Sequence, residues 1–522
     1  MKEKFYITTP IYYSSGDPHI GHCYTTLLCD TISRYKKARG YDVLFLTGTD
    51  EHGEKIEKKA KEKGISPKDY VDTIVDTFKK LWDYMDIKYD RFIRTTDDYH
   101  VETVTKVFKD LYDKGYIYKG KYEGKYCTPC ESFWTENQLV DGKCPDCGRD
   151  VTPASEEAYF FKLSLFSDRL KDLLLNTDFL TPKSRANEMV KNFIEPGLED
   201  LCVSRTSFTW GVPVSFDEKH VVYVWIDALT NYISALGYGN NKYHDFEEYW
   251  PADIHIMAKE IVRFHSLIWP AILMALDLPL PKRIYGHGWI VFGDKKMSKS
   301  LGNVVDPFVL GDLYGKDALR YHILSEMPYN GDSNYSNEIM LNKINSDLAN
   351  TYGNLVSRTT TMVSKYFDGT IPDNRKKEAI DGELINNILT CTKNFEEKMD
   401  DYHIAEAIDE SIKILSMANK YIDDTEPWVL GKDETKKERL AEVLYNLLEA
   451  IRIATITLSI VMPSKTNEVF ERIGVVSDEL KKWDTIHTFG ALKNVTVSTG
   501  EAIFPRLDIE KELERIRSCN NN

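Results

Sequence analysis

Two histidines, His19 and His22, flank an Ile-Gly pair in the stretch PHIGH, residues 18–22. Three residues apart, they share one face of a helix's first turn. A helix N-terminus carries partial positive charge and unpaired N–H groups, and Gly21 lets a ligand approach the backbone closely. Imidazole N–H donors, backbone N–H donors and the helix dipole then converge on one anion, which suits a phosphate chain. A pair of half-exposed surface histidines and a metal-binding pair are the competing readings. A second stretch, KMSKS at 296–300, lies between Gly293 and Gly302 with Lys295 beside it. It reads either as a solvated basic loop or as a glycine-hinged flap whose ammonium groups meet the charge developing on pyrophosphate. Cys127-x-x-Cys130 and Cys144-x-x-Cys147, thirteen residues apart, have the pattern of a tetrahedral Zn(Cys)4 knuckle, with a gap slightly shorter than the usual range. Gly142, Pro145 and Gly148 supply the tight turns; a redox pair or free thiols are the alternatives. Four thiolates leave no open position, so the zinc is expected to be structural.

These residues need elements to position them. Residues 5–13, FYITTPIYY, read as a strand, and SSGDP follows as a turn. The next stretch has helical spacing through Ile20, Cys23, Leu27, Ile32 and Tyr35 and ends at Gly40. Residues 41–50 return as a second apolar strand. This β-α-β unit places His19, His22 and Asp50 on the ligand side, at the strands' carboxyl ends. One helical stretch then ends at Gly64, and another starts at Ser66-Pro67, an N-cap with proline at the first helical position. From 116 to 150 short strands and turns surround the cysteines, as an insertion into the α/β domain would. The α/β rhythm resumes with a strand near 254, one helix over 261–276, one strand over 283–292, the lysine loop, and one helix over 306–324. Residues 335–471 are mostly amphipathic helix, with Pro427-Trp428 as the clearest break.

A chain of 522 residues is long enough for two or three domains. Its net charge of −15 does not advertise a nucleic-acid binder, though a local basic face would suffice for one. No secretory signal is visible, and the longest apolar run, 267–276, is too short to span a bilayer. A cytoplasmic location is expected, with a reducing environment that favours metal over disulfide at the clustered cysteines.

PHIGH and KMSKS, in this order on two halves of a split α/β domain, resemble the signatures of class I aminoacyl-tRNA synthetases. TTPIYY, FLTGTDEHG, YVWIDALTNY, FHSLIWPA and GHGWI are similar to stretches of the methionyl-tRNA synthetase family, over nearly the whole chain. The resemblance implies a split Rossmann-like parallel-sheet catalytic domain with a zinc-knuckle insert, followed by an α-helical anticodon-binding bundle. The expected boundaries are 1–116 and 215–292 for the two catalytic halves, 117–214 for the insert, 293–350 for the KMSKS loop and stem-contact region, 351–513 for the bundle and 514–522 for a tail. It implies a methionine--tRNA ligase that forms methionyl-adenylate from methionine and ATP with Mg²⁺, then charges tRNA(Met). His19, His22, Lys296 and Lys299 would be catalytic. His19, Gly21, His22, Gly286, His287, Lys296, Ser298 and Lys299 would bind ATP. Ile11, Tyr13, Asp50, Trp225, Ala228, Leu229, Tyr232, Phe264, His265 and Trp269 would line the methionine pocket, with Asp50 on the α-ammonium and the aromatic rings around the thioether. Read by spacing alone, Trp225, Tyr232, Phe264 and Trp269 could equally be ordinary core. Asn354, Arg358 and Trp428 would read the anticodon, by base edges and stacking; their plain alternative is a solvated helix face and a helix-end packing residue. Cys127, Cys130, Cys144 and Cys147 would hold one zinc.

Leucine, isoleucine and valine enzymes of the class would carry a large editing insert between the two signatures, and a cysteine enzyme an open catalytic zinc. A non-catalytic RNA-binding relative would be expected to have lost His19, His22 or Lys299. The chain ends at CNNN with no appended tRNA-binding domain, so a monomer is expected.

Overall fold

The computed structural model describes residues 2–128, 132–134, 136, 139–145, 147–292, 295–296 and 306–520. They fall into two units, Met1–Ser33 with Tyr41–His287, and Arg34–Gly40 with Gly288–Asn522. In the first unit the strands are β1 (Lys4–Tyr13), β2 (Asp42–Asp50), β3 (Arg91–Arg94), β4 (Ile117–Cys127), β5 (Ser132–Trp134), β6 (Thr152–Phe161), β7 (Leu180–Thr181), β8 (Leu201–Cys202), β9 (Ser204–Arg205), β10 (Val221–Val222), β11 (Ile254–Ala258) and β12 (Ile284–His287). Six of them form a parallel sheet in the order β3-β2-β1-β11-β12-β7. β1 and β2 are buried along most of their length, which is why they read as near-continuous apolar runs. The sheet grows outward in both directions from β1 and β11, so their carboxyl ends flank the switch point where ligands of such sheets bind. Pro10 cannot donate to the ladder, and the β1–β2 register slips between Thr8 and Ile11 to accommodate it.

Helix α1 (Ile20–Ala38) follows β1, and α2 (Glu54–Lys63), α3 (Pro67–Tyr84) and α4 (Asp98–Asp113) come after it in order. Gly64 ends α2 in the left-handed region, at φ 69°, and the Ser66 side chain accepts from the Asp69 N–H to start α3, as the sequence leads one to expect. Between β3 and β11 lies a four-stranded antiparallel sheet, β5-β4-β6-β8, whose strand β4 ends at Cys127.

Three expectations of continuous elements are corrected. The helix expected over 261–276 begins with a tight turn at Lys259–Ile261, widens into a π turn at Phe264–Ile268, and runs on as a regular α-helix over Trp269–Ala275. Pro270 has no N–H for the carbonyl four residues back, and a wider preceding turn absorbs the mismatch. The strand expected over 283–292 breaks at Gly288, where a Cβ would stand 1.7 Å from the Gly331 carbonyl oxygen. Past the break, β13 (Ile290–Phe292) joins a separate sheet with β14 (Lys295–Lys296) and β15 (Ser333–Tyr335). The helix expected over 306–324 is two helices, Pro307–Tyr314 and Lys316–Ser325, divided at Gly315 with φ 87°.

The second unit is largely helical. Its Lys437–Leu458 helix is buried from Arg439 to Leu458, around its whole circumference. The charges it takes inside are paired. Arg439 grips Asp381 at 2.7 and 2.8 Å, and Arg452 grips Glu449 at 2.8 Å. Among the described residues no helix is long and apolar enough to cross a membrane.

Candidate active site

β1 ends at Tyr13, and the chain turns to His19, whose carbonyl accepts from the N–H groups of His22 at 2.9 Å and Cys23 at 3.2 Å. His19 therefore caps α1. Its own N–H donates to His22 Nδ1 at 3.1 Å, and the Gly21 N–H donates to His19 Nδ1 at 3.1 Å. A neutral imidazole that accepts at Nδ1 carries its proton on Nε2. Both rings thus offer Nε2–H donors, an arrangement suited to phosphate oxygens and not to a metal ion, which needs a ring lone pair. The ring centroids are 4.0 Å apart. His22 is held edge-on by Tyr12 at 5.1 Å and Phe78 at 5.4 Å. A Cβ at Gly21 would press on His19 Cε1 at 3.0 Å, so glycine is what lets the first ring lie over the turn.

Gly286 and His287 end β12. A Cβ at Gly286 would meet Val262 Cγ2 at 2.4 Å. His287 is buried, its Nε2 2.8 Å from the Thr25 hydroxyl and its ring edge-on to Tyr24. Lys296 lies in β14, paired with Val291. Ser298 and Lys299 lie outside the described residues.

Ile11 and Tyr13 lie at the end of β1, and Tyr13 is in register with Asp50, the last residue of β2. Trp225, Ala228, Leu229 and Tyr232 ride on the Val224–Ser234 helix, Phe264 and His265 on the π turn, and Trp269 opens the helix after it. Trp225 and Phe264 stack face to face at 3.4 Å. His265 Nδ1 lies 2.9 Å from the Ile261 carbonyl and must donate to it, so His265 Nε2 accepts from the Tyr232 hydroxyl at 2.7 Å. Burial pushes the His265 ring down to about 4, which keeps it neutral at pH 7. Trp269 stands 6.0 Å from Tyr232. The structure brings these five aromatic residues together, and Ile11 and Trp225 pack against one core cluster. The indole N–H groups of Trp225 and Trp269 are buried without a hydrogen-bond partner among the described residues, which is uncommon in a folded interior.

A further set escapes sequence reasoning. The buried Asp227 carboxylate accepts from His52 Nδ1 at 2.7 Å and His100 Nε2 at 2.9 Å, and His100 Nδ1 meets the Ser234 hydroxyl at 2.7 Å. Burial alone would raise the Asp227 carboxyl; the His52 charge and the hydrogen bonds from His100 and His52 outweigh it and hold it at about 2. Beside it, Arg94 grips Glu51 with two bonds, at 2.7 and 2.9 Å. Both networks fix the segment after Asp50. DEHG and WIDA flag His52 and Asp227 as polar residues in conspicuous stretches, but no spacing ties them to His100.

The sulfur atoms of Cys127, Cys144 and Cys147 lie within 4.8 Å of one another, with Cys127 and Cys147 3.6 Å apart. A disulfide would need about 2.05 Å. Tetrahedral coordination with Zn–S near 2.3 Å puts sulfurs about 3.8 Å apart, so the three thiols fit such an ion. Cys130 lies outside the described residues. Trp134, Leu139 and Val151 pack against Cys127 and Cys144. A second cluster, Glu157, Asp217 and His220, already holds a cation, because Lys119 Nζ is 2.7 Å from both carboxylates.

In the second unit Asn354 is exposed at the start of the Asn354–Phe367 helix. Arg358, one turn on, pairs with Asp423 at 3.7 Å, near the end of the Ile404–Thr425 helix. Trp428, on the short Pro427–Leu430 helix, is 39% exposed. That helix is followed by Gly431, which lies so close to the Tyr366 ring that a Cβ would come within 2.4 Å.

A parallel sheet with paired imidazoles at the switch-point helix defines a class I tRNA synthetase, and the family model described as "tRNA synthetases class I (M)" matches residues 5–154 and 149–360. The model described as "Anticodon binding domain of methionyl tRNA ligase" matches 371–515. Methionine--tRNA ligase of Caldanaerobacter subterraneus subsp. tengcongensis is 58% identical over 98% of this chain and 80% of its own length. That of Clostridium tetani is 54% identical over 99% and 80%. The solved structure of Mycobacterium tuberculosis methionyl-tRNA synthetase in complex with methionyl-adenylate is 37% identical, with a TM-score of 0.92 over 97% of this chain and 100% of that one. The chain belongs to the methionine--tRNA ligase family, a family of ATP-dependent aminoacyl-tRNA ligases.

Proposed function

We propose that the chain joins methionine to tRNA(Met), for initiation and elongation, in two steps. The methionine carboxylate attacks the α-phosphorus of ATP, the bond to the β-phosphate oxygen breaks, and pyrophosphate leaves. A hydroxyl at the tRNA 3′ end then attacks the carbonyl of methionyl-adenylate, and AMP leaves. The observation that carries this reading is the pair of Nε2–H donors that the backbone fixes at the start of α1. The attacking carboxylate is already ionised at neutral pH, so the chain's task is positioning and charge stabilisation. His19 and His22 would donate to the triphosphate, with the Gly21 backbone beneath them. Gly286 and His287 would border the nucleotide from β12, and Lys296, Ser298 and Lys299 would contact the leaving pyrophosphate. Mg²⁺ on the triphosphate would neutralise part of its charge.

Asp50, at the end of β2, would pair with the α-ammonium. Ile11, Tyr13, Ala228 and Leu229 would bound the side chain, and Trp225, Tyr232, Phe264, His265 and Trp269 would surround the thioether. An apolar pocket gains only about 1–3 kcal/mol per methylene, so the shape set by the rigid Tyr232–His265 bond would carry much of the selectivity. Asn354, Arg358 and Trp428 would read the anticodon. The proposed segmentation keeps catalytic halves at 1–116 and 215–292, the insert at 117–214, the loop region at 293–350, the bundle at 351–513 and a tail at 514–522. The enzyme would act as a cytoplasmic monomer. ATP–pyrophosphate exchange against a panel of amino acids tests the reading. Exchange should depend on methionine, and Trp428→Ala should keep it while tRNA charging falls. Exchange with leucine in place of methionine would reject the substrate assignment.

The three clustered thiols, completed by Cys130, would hold one structural zinc. Metal analysis of the pure protein should return about one zinc per chain, given four thiolate ligands. Cys144→Ser should lower that content, and a metal-free protein with full activity would refute the site.

A further inference from the structure

The cysteine hairpin and the aromatic pocket are joined by one side chain. β4 and β5 pair antiparallel, with Lys125 opposite Trp134 and Cys127 opposite Ser132. Trp134 is thus carried by the same hairpin as Cys127, and it is 4% exposed against Cys127 and Cys144. The Arg263 guanidinium lies over its indole, 4.6 Å from the ring centroid. The same guanidinium is 4.6 Å from the Phe264 ring and 5.2 Å from the Phe193 ring. Phe264 in turn is the ring stacked on Trp225. A planar cation held among three aromatic faces is attracted to each of them. It sits at the entrance to the π turn, the least regular part of the pocket wall.

We propose that Arg263 is a positioning residue that sets the methionine pocket from the cysteine hairpin: Trp134 fixes the guanidinium, the guanidinium fixes Phe264, and Phe264 fixes Trp225. The inference rests on the reading of Trp225 and Phe264 as pocket residues. It gives the hairpin a task in substrate affinity, beyond holding its own fold, and it requires no contact between Arg263 and substrate. The effect should be selective, because the guanidinium lies against Phe264. ATP, which would be held at α1, should be indifferent to it.

Arg263→Met keeps an unbranched apolar stem and removes the planar cation. It should raise the KM for methionine and its dissociation constant, measured by equilibrium dialysis, about tenfold. The KM for ATP should stay within twofold and the zinc content unchanged. Arg263→Lys, which keeps the charge, should recover part of the loss. Trp134→Phe should stay near the parent, whereas Trp134→Leu should weaken methionine binding. Combined with Arg263→Met, Trp134→Leu should add little, because both variants break one chain of contacts. Arg263→Met with unchanged methionine affinity, alongside a Phe264→Ala that loses it, would overturn the relay and leave the pocket standing. Equal weakening of methionine and ATP would also overturn the relay. Unchanged methionine affinity in both Phe264→Ala and Trp225→Ala would overturn the pocket assignment and the relay with it.

Discussion

His22→Ala should slow adenylate formation about 10²–10³-fold, the usual cost of one preorganised donor to developing charge, while the KM for methionine stays within about twofold, since the ring would not touch the amino acid. Pyrophosphate exchange and single-turnover formation of adenylate both read this. The geometry sharpens the expectation. The backbone N–H of His19 occupies His22 Nδ1, so the reacting donor must be Nε2–H. A glutamine amide reaches to about the place of Nε2, whereas an asparagine amide falls near Nδ1. His22→Gln should therefore retain more activity than His22→Asn. The opposite ranking would mean that the other nitrogen faces the phosphate, and an alanine variant within threefold of the parent would remove the ring from the chemistry.

The second large effect is on stability. Asp227 is buried, and both its oxygens are engaged by histidines. Removing one partner of such a buried charged network costs about 3–5 kcal/mol, so Asp227→Ala should lower the urea midpoint of its unit sharply. Asp227→Asn should do so less, because the amide keeps the shape and one acceptor. The pH dependence has a definite sign. The folded carboxyl lies at about 2, below the unfolded value of about 3.9. Its contribution is therefore full above roughly pH 4 and is lost as the pH falls through about 2, amounting to about 2–3 kcal/mol. Urea titrations from pH 7 to pH 2.5 should show that slope in the parent and a flatter one in Asp227→Asn. Parallel profiles would mean that the carboxyl is not what the histidines stabilise.

The strands β1 and β2, the helix between them and the caps at Gly64 and Ser66 were legible because each depends on residues close in sequence: an apolar run, a 3.6-residue spacing, a glycine or a serine-proline pair. The breaks at Gly288 and Gly315 were not, although both are glycines. At Gly288 the cause is the Gly331 carbonyl, forty-three residues away in sequence, and no local pattern announces it. The π turn at Phe264–Ile268 hides for another reason: its apolar residues satisfy a helical template nearly as well as those of a regular helix. In the site, His19 and His22 could be assigned to one turn from spacing, yet their proton positions depend on backbone N–H groups that only coordinates reveal. Asp227 and His52 stood in conspicuous stretches, but His100 completes their network across 127 and 48 residues of sequence, and only the packing of α4 against the Val224–Ser234 helix brings it in. Of the cysteine pattern, the structure describes Cys127, Cys144 and Cys147, and their clustering across seventeen and more residues of sequence joins two motifs that the spacing alone could only suggest belong together.

The π turn also constrains how this chain can vary in length. A π turn holds one residue more than the α-helical turn it replaces, and each residue of a helix turns the next by about 100°. Deleting one residue within Phe264–Ile268 would let the wide turn close to a regular one with the helix beyond it kept in register, whereas inserting one there would swing everything beyond it by about that angle. After such an insertion Trp269 would leave Tyr232 even with every side chain unchanged. The stretch can therefore lose a residue at its wide turn but cannot gain one there without unseating the helix that follows.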